Sequence, residues 1–183
     1  TFYLDDKMLH CGVNAFHLFK GESGWKITQI TDTRRREACQ TDPNADLNAI
    51  HKLMDDWHHA AAVADEDTFF GSMTADGIYL GTDASERWTK AAFRAYAHPH
   101  FARGKAWSFR AARRTLAFDA SQRLAWFEEE IVTQNLGPAR GSGVLALRSG
   151  RWLIVQYNLT IPVPNDLALT LVEMIRAQPR SPR

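Results

Sequence analysis

His58 sits in the run DDWHHAAAVAD, four residues after Met54 and three before Ala61. On a helix this spacing puts it at the edge of a stripe made by Leu47, Ile50, Met54, Trp57 and Ala61. An imidazole there can donate to a developing oxyanion or take a proton near pH 7; the other reading is a helix-surface histidine, as for His59. Glu129, in AWFEEEIV, shares a strand face with Phe127 and Ile131, whereas Glu128 and Glu130 share the other with Trp126. One set must face a cavity and the other solvent or an interface. A buried Glu129 needs a partner, and Arg140 on the neighbouring strand is available, either as a structural ion pair or as a site pair. Along RWLIVQYNLTI, strict alternation places Trp152, Ile154, Gln156 and Asn158 on one side. The two amides either orient a substrate carbonyl or hydroxyl in a pocket, or are exposed or satisfied by backbone. Trp88, Tyr96, Phe101 and Trp107, with Trp57 and Tyr79, are ring residues for a flat apolar ligand or for a core. His98 and His100 flank Pro99, but no third ligand stands at convincing spacing, so no metal site is expected. There is no glycine-rich phosphate loop and no nucleophile elbow. No cofactor is expected.

These side chains need elements to carry them. Asp42 and Pro43 open a helix that holds the His58 stripe. A second, short helix starts at Asp65 and ends before Gly77; GIYLG is a short strand and TDASERW a loop. A third helix, TKAAFRAYAHPHFARG, ends or breaks near Pro99. Four strand-like runs follow, KAWSFRAARRTLAFD, RLAWFEEEIVTQ, ARGSGVLALR and RWLIVQYNLTI, as an antiparallel meander. NDLALTLVEMIRAQ is a last helix with Asn165 as its cap, before a disordered tail over 179–183. Helices followed by a sheet predict an α+β layout with the helices on one sheet face.

The chain has 183 residues, 45% hydrophobic and 23% charged, with a net charge of +1. That is the make-up of a globular protein with a real core and no electrostatic footprint for nucleic acid or an anionic membrane. No run is long and apolar enough to span a bilayer. The chain opens at Thr1 without a Met, so a missing leader says little; a cytoplasmic location is favoured, with Cys11 and Cys39 as free thiols beside the alternative of a single disulfide.

One strand is written twice. GWKITQ (24–29) and GRWLIVQ (150–156) place Trp25, Ile27 and Gln29 against Trp152, Ile154 and Gln156. GVNAFHLF (12–19) aligns with GSGVLALR (141–148) ahead of them, with a first turn two residues longer. Each pair reads as a β-hairpin. Chance likeness of two Trp-bearing hairpins is the weaker explanation and a tandem duplication the simplest one, in which residues 1–38 are expected to be the closing strands of a truncated first copy and 39–178 a complete domain. Such strands need a neighbour for their apolar face and edges.

Residues from about 43 to 167 resemble a SnoaL-like domain of the nuclear-transport-factor-2-like superfamily. The resemblance rests on DDWHHAAAVAD, DTFFGSMTADGIYLGTDASERW, AFRAYAHPHFARGKAWSFR and RGSGVL…RWLIVQYNLTIPVPN. It implies a cone, also called cystatin-like, in which N-terminal helices pack on a strongly curved antiparallel sheet around an apolar pocket. It implies pairing through the open sheet face, as a homodimer or pseudo-dimer. The superfamily spans ketosteroid isomerases, polyketide cyclases, scytalone dehydratase, epoxide hydrolases and association domains, so the fold leaves the function open. By position the resemblance implies a general-base role for Asp83, after the GIYLG strand, and it sets His58 where the isomerases carry a Tyr. With TDAS as turn chemistry, Asp83 also reads as a loop cap. Two functions stand: cofactor-free proton transfer of the isomerase, cyclase or lyase kind on a small carbonyl-bearing or apolar molecule, and a non-catalytic ligand-binding or dimerisation module.

Overall fold

The computed structural model describes residues 2–4, 7–12, 14–21, 23–34 and 43–178, in two units, Thr1–Asn48 and Ala49–Arg183. In the first, β1 (Phe2–Leu4) pairs antiparallel with β2 (Lys7–His10), and β3 (Asn14–Gly21) with β4 (Gly24–Asp32). Phe16, Leu18, Trp25, Ile27 and Ile30 of the second hairpin are exposed. Cys11 is buried and disulfide-bonded, which corrects the free-thiol expectation. Cys39, the expected helix cap Asp42, the boundary near residue 38 and the tail 179–183 lie outside the described residues.

The stripe expectation becomes α1 (Pro43–Ala62), whose part in the second unit buries Ile50, Met54, Trp57, His58 and Ala61. The second helix, α2 (Glu66–Gly71), is shorter than expected. Asp65 caps it by accepting a hydrogen bond from the Thr68 amide at 3.0 Å. It stops at Gly71 because the next residues join the sheet: the Ile154 amide bonds to the Ser72 carbonyl at 2.9 Å, and Met73 pairs with Ile154. The strand β5 therefore runs Met73–Leu80, and Arg87–Thr89, in the expected loop, adds an edge strand β6. The third helix, α3 (Lys90–Ala102), passes through Pro99 without ending there. Pro99 lies one turn from the end, and the buried Ala97 and Phe101 hold the last turn to the core.

The meander is β7 (Phe109–Phe118), β8 (Leu124–Thr133), β9 (Pro138–Arg148) and β10 (Arg151–Thr160). Six strands lie in the order β6-β5-β10-β9-β8-β7, with β5 parallel to β10 and every other pair antiparallel. Chain-sequential hairpins build the meander, and the long connection through β6, α3 and the strands β7 to β9 lets β10 return parallel to β5. The inner face of β8 buries Ala125, Phe127, Glu129 and Ile131, while its outer face exposes Leu124, Trp126, Glu128, Glu130 and Val132. The core joins that inner face to Trp57, Phe69, Phe70, Phe93 and Phe101 of the three helices. The last helix, α4 (Ala168–Ala177), has no side-chain cap, from Asn165 or otherwise, and buries none of its residues. Among the described residues no helix is long and apolar enough to cross a membrane.

The two matching hairpins agree more closely in register than in sequence. Leu18 pairs with Ile27 and His17 with Gln29, leaving Thr28 bulged; Leu145 pairs with Ile154 and Val144 with Gln156, leaving Val155 bulged. Gly21 faces Gly24 and Arg148 faces Arg151, so the two connections are equally long. That corrects the expected longer first turn, and Leu18 then matches Leu145.

Asp65→Ala should lower the unfolding free energy by about 1 kcal/mol in urea melts, and Asp65→Asn should restore most of it, because the cap needs an acceptor rather than a charge.

Candidate functional site

The innermost polar group of the second unit is a carboxylate. The alternation of β8 sends Glu129 inward, and its side chain is wholly buried. Three donors meet it: His58 Nε2 at 2.7 Å and the Tyr157 hydroxyl at 2.9 Å on Oε1, and Arg114 Nε at 2.8 Å on Oε2. An ionised carboxylate only accepts, so the His58 proton in this contact is on Nε2. The remaining Arg114 donors reach the His51 carbonyl at 3.2 Å and Asp55 Oδ1 at 2.9 Å.

Two β-bulges bring these partners together. A bulge adds one residue to a strand and switches which later residues face inward. In β7 the register shifts between Ala111 and Arg113, so Arg114, rather than Arg113, follows Phe109 and Ala111 to the inner face. In β10 the shift between Ile154 and Gln156 turns Tyr157 inward after Trp152 and Ile154. Across β9, Gly141 is paired with Glu129, and a Cβ there would come within 2.8 Å of Glu129 Cγ and closer to the Tyr157 hydroxyl.

Burial alone would raise the Glu129 pKa, but hydrogen bonding and charge from His58 and Arg114 outweigh it and hold the carboxyl below its ordinary range. Burial, helped by the Glu129 charge, pushes Tyr157 well above its ordinary value. A carboxylate with three donors is a poor base; its chemistry is to fix the His58 and Tyr157 rings in place.

A cleft of about 330 Å³ opens on the other side of those rings. Trp88 and Tyr96 stack at 5.0 Å on its wall, and Phe93 stacks on both Tyr79 at 4.0 Å and Trp107 at 5.8 Å. Phe109, which also lines it, lies 6.4 Å from the His58 ring, and Tyr79 is stacked 5.7 Å from Tyr157. Its polar lining is Glu86, His100, Asn135 and Thr82. His100 Nδ1 lies 2.9 Å from Arg103 Nη2; an arginine only donates, so Nδ1 accepts.

The sequence candidates divide between these places. Tyr79, Trp88 and Trp107 line the cleft. Trp57 and His58 are buried behind it, with Trp57 stacked on Phe69 at 4.7 Å. Phe101 belongs to the core. Asp83 is exposed in a turn, where it accepts from the Ser85 amide at 2.8 Å; hydrogen bonds from Ser85 hold its carboxyl below the ordinary range, the opposite of the rise a general base needs. His58 and Asp83 therefore do not meet. Arg140 is not the partner of Glu129: it pairs across from Glu130 on the outer face, beside Arg113 and Glu128. The β10 bulge also removes Gln156 and Asn158 from the side of Trp152 and Ile154, and sets them opposite Val144 and Ser142. His98 bonds Glu66 at 2.8 Å, and no cluster of three metal-ligating side chains occurs among the described residues. Arg114 and Tyr157 were missed because strict alternation faces both outward; the signal was that a buried Glu129 required donors.

Glu129→Gln should destabilise the protein by about 3 kcal/mol, because it removes the buried countercharge of Arg114, leaving only the exposed Asp55, and sets an amide NH2 among donors. A depressed carboxyl stabilises the fold above its ordinary pKa of 4.5 and loses that contribution as pH falls through the lowered value. Urea melts between pH 7 and 2 should therefore show a flatter acid limb for Glu129→Gln than for the wild type.

The model of the SnoaL-like domain matches residues 50–164. No curated protein matches the sequence. Among solved structures, an NTF2-like protein of unknown function from Pseudomonas putida superposes with a TM-score of 0.55 at 14% identity, over 69% of this chain and 93% of that one. A candidate aromatic ring hydroxylase from Novosphingobium aromaticivorans gives 0.56 at 18% identity, over 68% and 94%. A candidate scytalone dehydratase from the same organism gives 0.54 at 13%, over 66% and 86%. At these identities the likeness is one of fold, NTF2-like or cystatin-like, and it agrees with the bent α+β sheet and its helices. The chain belongs to the SnoaL-like domain family.

Proposed function

We propose that the second unit binds a small, flat, ring-bearing molecule with a carbonyl or hydroxyl group in the aromatic cleft. The observation that carries this reading is the cleft itself: stacked rings wall a volume in the range of small-molecule sites, and a few polar groups stand among them. The name of one fold neighbour, an aromatic ring hydroxylase, is in keeping with such a ligand. Proton transfer in the cleft would fall to His100 and Glu86, the titratable side chains on its wall besides the tyrosines, because Nε2 of His58 is committed to Glu129 and the Asp83 carboxylate to Ser85. Titrating 2-naphthol against the intrinsic tryptophan fluorescence should give saturable quenching. Trp88→Leu should weaken binding about tenfold by removing a stacked face. Equal affinity in the variant would end this reading.

A second reading concerns association. The outer face of β8 exposes Trp126 at 52%, with Leu124 and Val132 on the same side around Glu128 and Glu130, a surface of mixed apolar and charged groups that could meet a partner. We propose that two copies, or a copy and a related hairpin, pair over this face. In sedimentation velocity Trp126→Glu should shift a dimer to a monomer; a wild-type monomer at micromolar concentration would count against the pairing. The shared bulge supports reading β3–β4 as the counterpart of β9–β10, the end of a second copy of the domain. The disulfide at Cys11 fits an oxidising compartment better than the cytoplasm.

A further inference from the structure

Beyond Thr160 the chain leaves the sheet. Ile161–Pro164 form a strap without regular secondary structure, whose two prolines cannot donate to a ladder, and a turn then leads into α4. Strap and helix border an open groove of about 700 Å³, roughly twice the cleft. Leu167, Leu171 and Met174 lie one helical turn apart along its side, opposite Ile161 and Val163. Its polar lining is limited to the threonines 82, 160 and 170, and no charged residue borders it. An aliphatic wall without rings or charges suits a flexible hydrocarbon rather than a second ring system.

The groove adjoins the cleft. Thr82 lines both, and Leu159 on the cleft wall is followed directly by Thr160 on the groove wall. A molecule with its ring between Trp88 and Trp107 would therefore find an apolar channel where it emerges near Thr82. We infer that the groove is an aliphatic subsite of the same binding site, and that the ligand is a ring compound carrying a linear alkyl chain of several carbons. This inference rests on the cleft being the ring site. The chain, not the ring, covers the inner side of α4, a helix that buries no residue of its own.

The test compares 2-naphthol with 6-butyl- and 6-octyl-2-naphthol by fluorescence titration of the full chain. Affinity should rise about fourfold for each methylene that enters the groove, then level off when the groove is full. Leu171→Asp and, separately, Val163→Asp should abolish the dependence on chain length and leave the affinity for 2-naphthol unchanged. Neither residue lines the cleft, and the second variant guards against a helix-specific failure. Unchanged chain-length dependence in both variants overturns the inference, as does 2-naphthol binding with no gain from the alkyl chain. Failure of 2-naphthol itself to bind overturns the ring site first, and the subsite with it. If Leu171→Asp dissolves an oligomer while chain length has no effect, the groove is an interface between copies and the inference fails.

Discussion

A carboxylate with no access to water must be given its hydrogen bonds by the fold, and Glu129 sets that condition for the second unit. Its two oxygens need donors from several directions, so α1, β7 and β10 must each deliver one to the same point. Arg114 is the partner whose charge is permanent, and it is itself enclosed, with His51 and Asp55 of α1 taking its other donors. The helix and the far strand of the meander are thereby tied through one guanidinium. An apolar residue at 129 would pack more cheaply. What the ion pair adds is register: β7 and β10 can each approach β8 or its neighbour in only one alignment that satisfies Glu129.

The same condition explains the separation of charge and cleft. Tyr157 and His58 point their polar ends at Glu129, and Tyr157 offers its ring to Tyr79. Tyr79 stacks in turn on Phe93, and Phe93 on Trp107, so the polar knot ends in a graded series of rings that reaches the cleft wall. Cleft rings packed on rings that are themselves held by buried hydrogen bonds would lose little further freedom when a ligand stacks on them, which is how a rigid layer behind a site favours binding. Glu86 and His100 lie on the open side of this series, where the proposed proton transfer would take place.

Element types were legible in the sequence because they follow periodicity: the stripe of α1 with His58 on it, the alternation of β8 with Glu129 facing Phe127 and Ile131, and the turn before Trp152 all emerge as read. What could not be read was any feature that breaks a period. Two bulges cost one residue each and reverse every assignment downstream, so Gln156 and Asn158 exchanged places with Tyr157, and Arg113 with Arg114. Neither bulge carries a glycine or proline at the extra residue, Ala112 or Val155, to announce it. The cleft was half legible: Tyr79, Trp88 and Trp107 are conspicuous by type. Glu86 and His100 are not, because one lies in a turn and the other beside a proline in a motif that suggests metal.

Bulges bend the strand that carries them, and a sheet that must curve around three helices needs them at defined points. In β10 the bulge at Val155 falls between two demands. Trp152 and Ile154 must pack inward on one side of it, and Tyr157 must reach Glu129 on the other. Without the extra residue, alternation would point the Tyr157 hydroxyl away from the carboxylate. In β4 the bulge at Thr28 sits at the same step after the tryptophan, although Ile30 holds the place of Tyr157 and bears no hydroxyl. The bend therefore does not depend on the polar contact. It belongs to the Trp–x–Ile strand itself, and the Glu129 knot is built on a curvature that the hairpin already has.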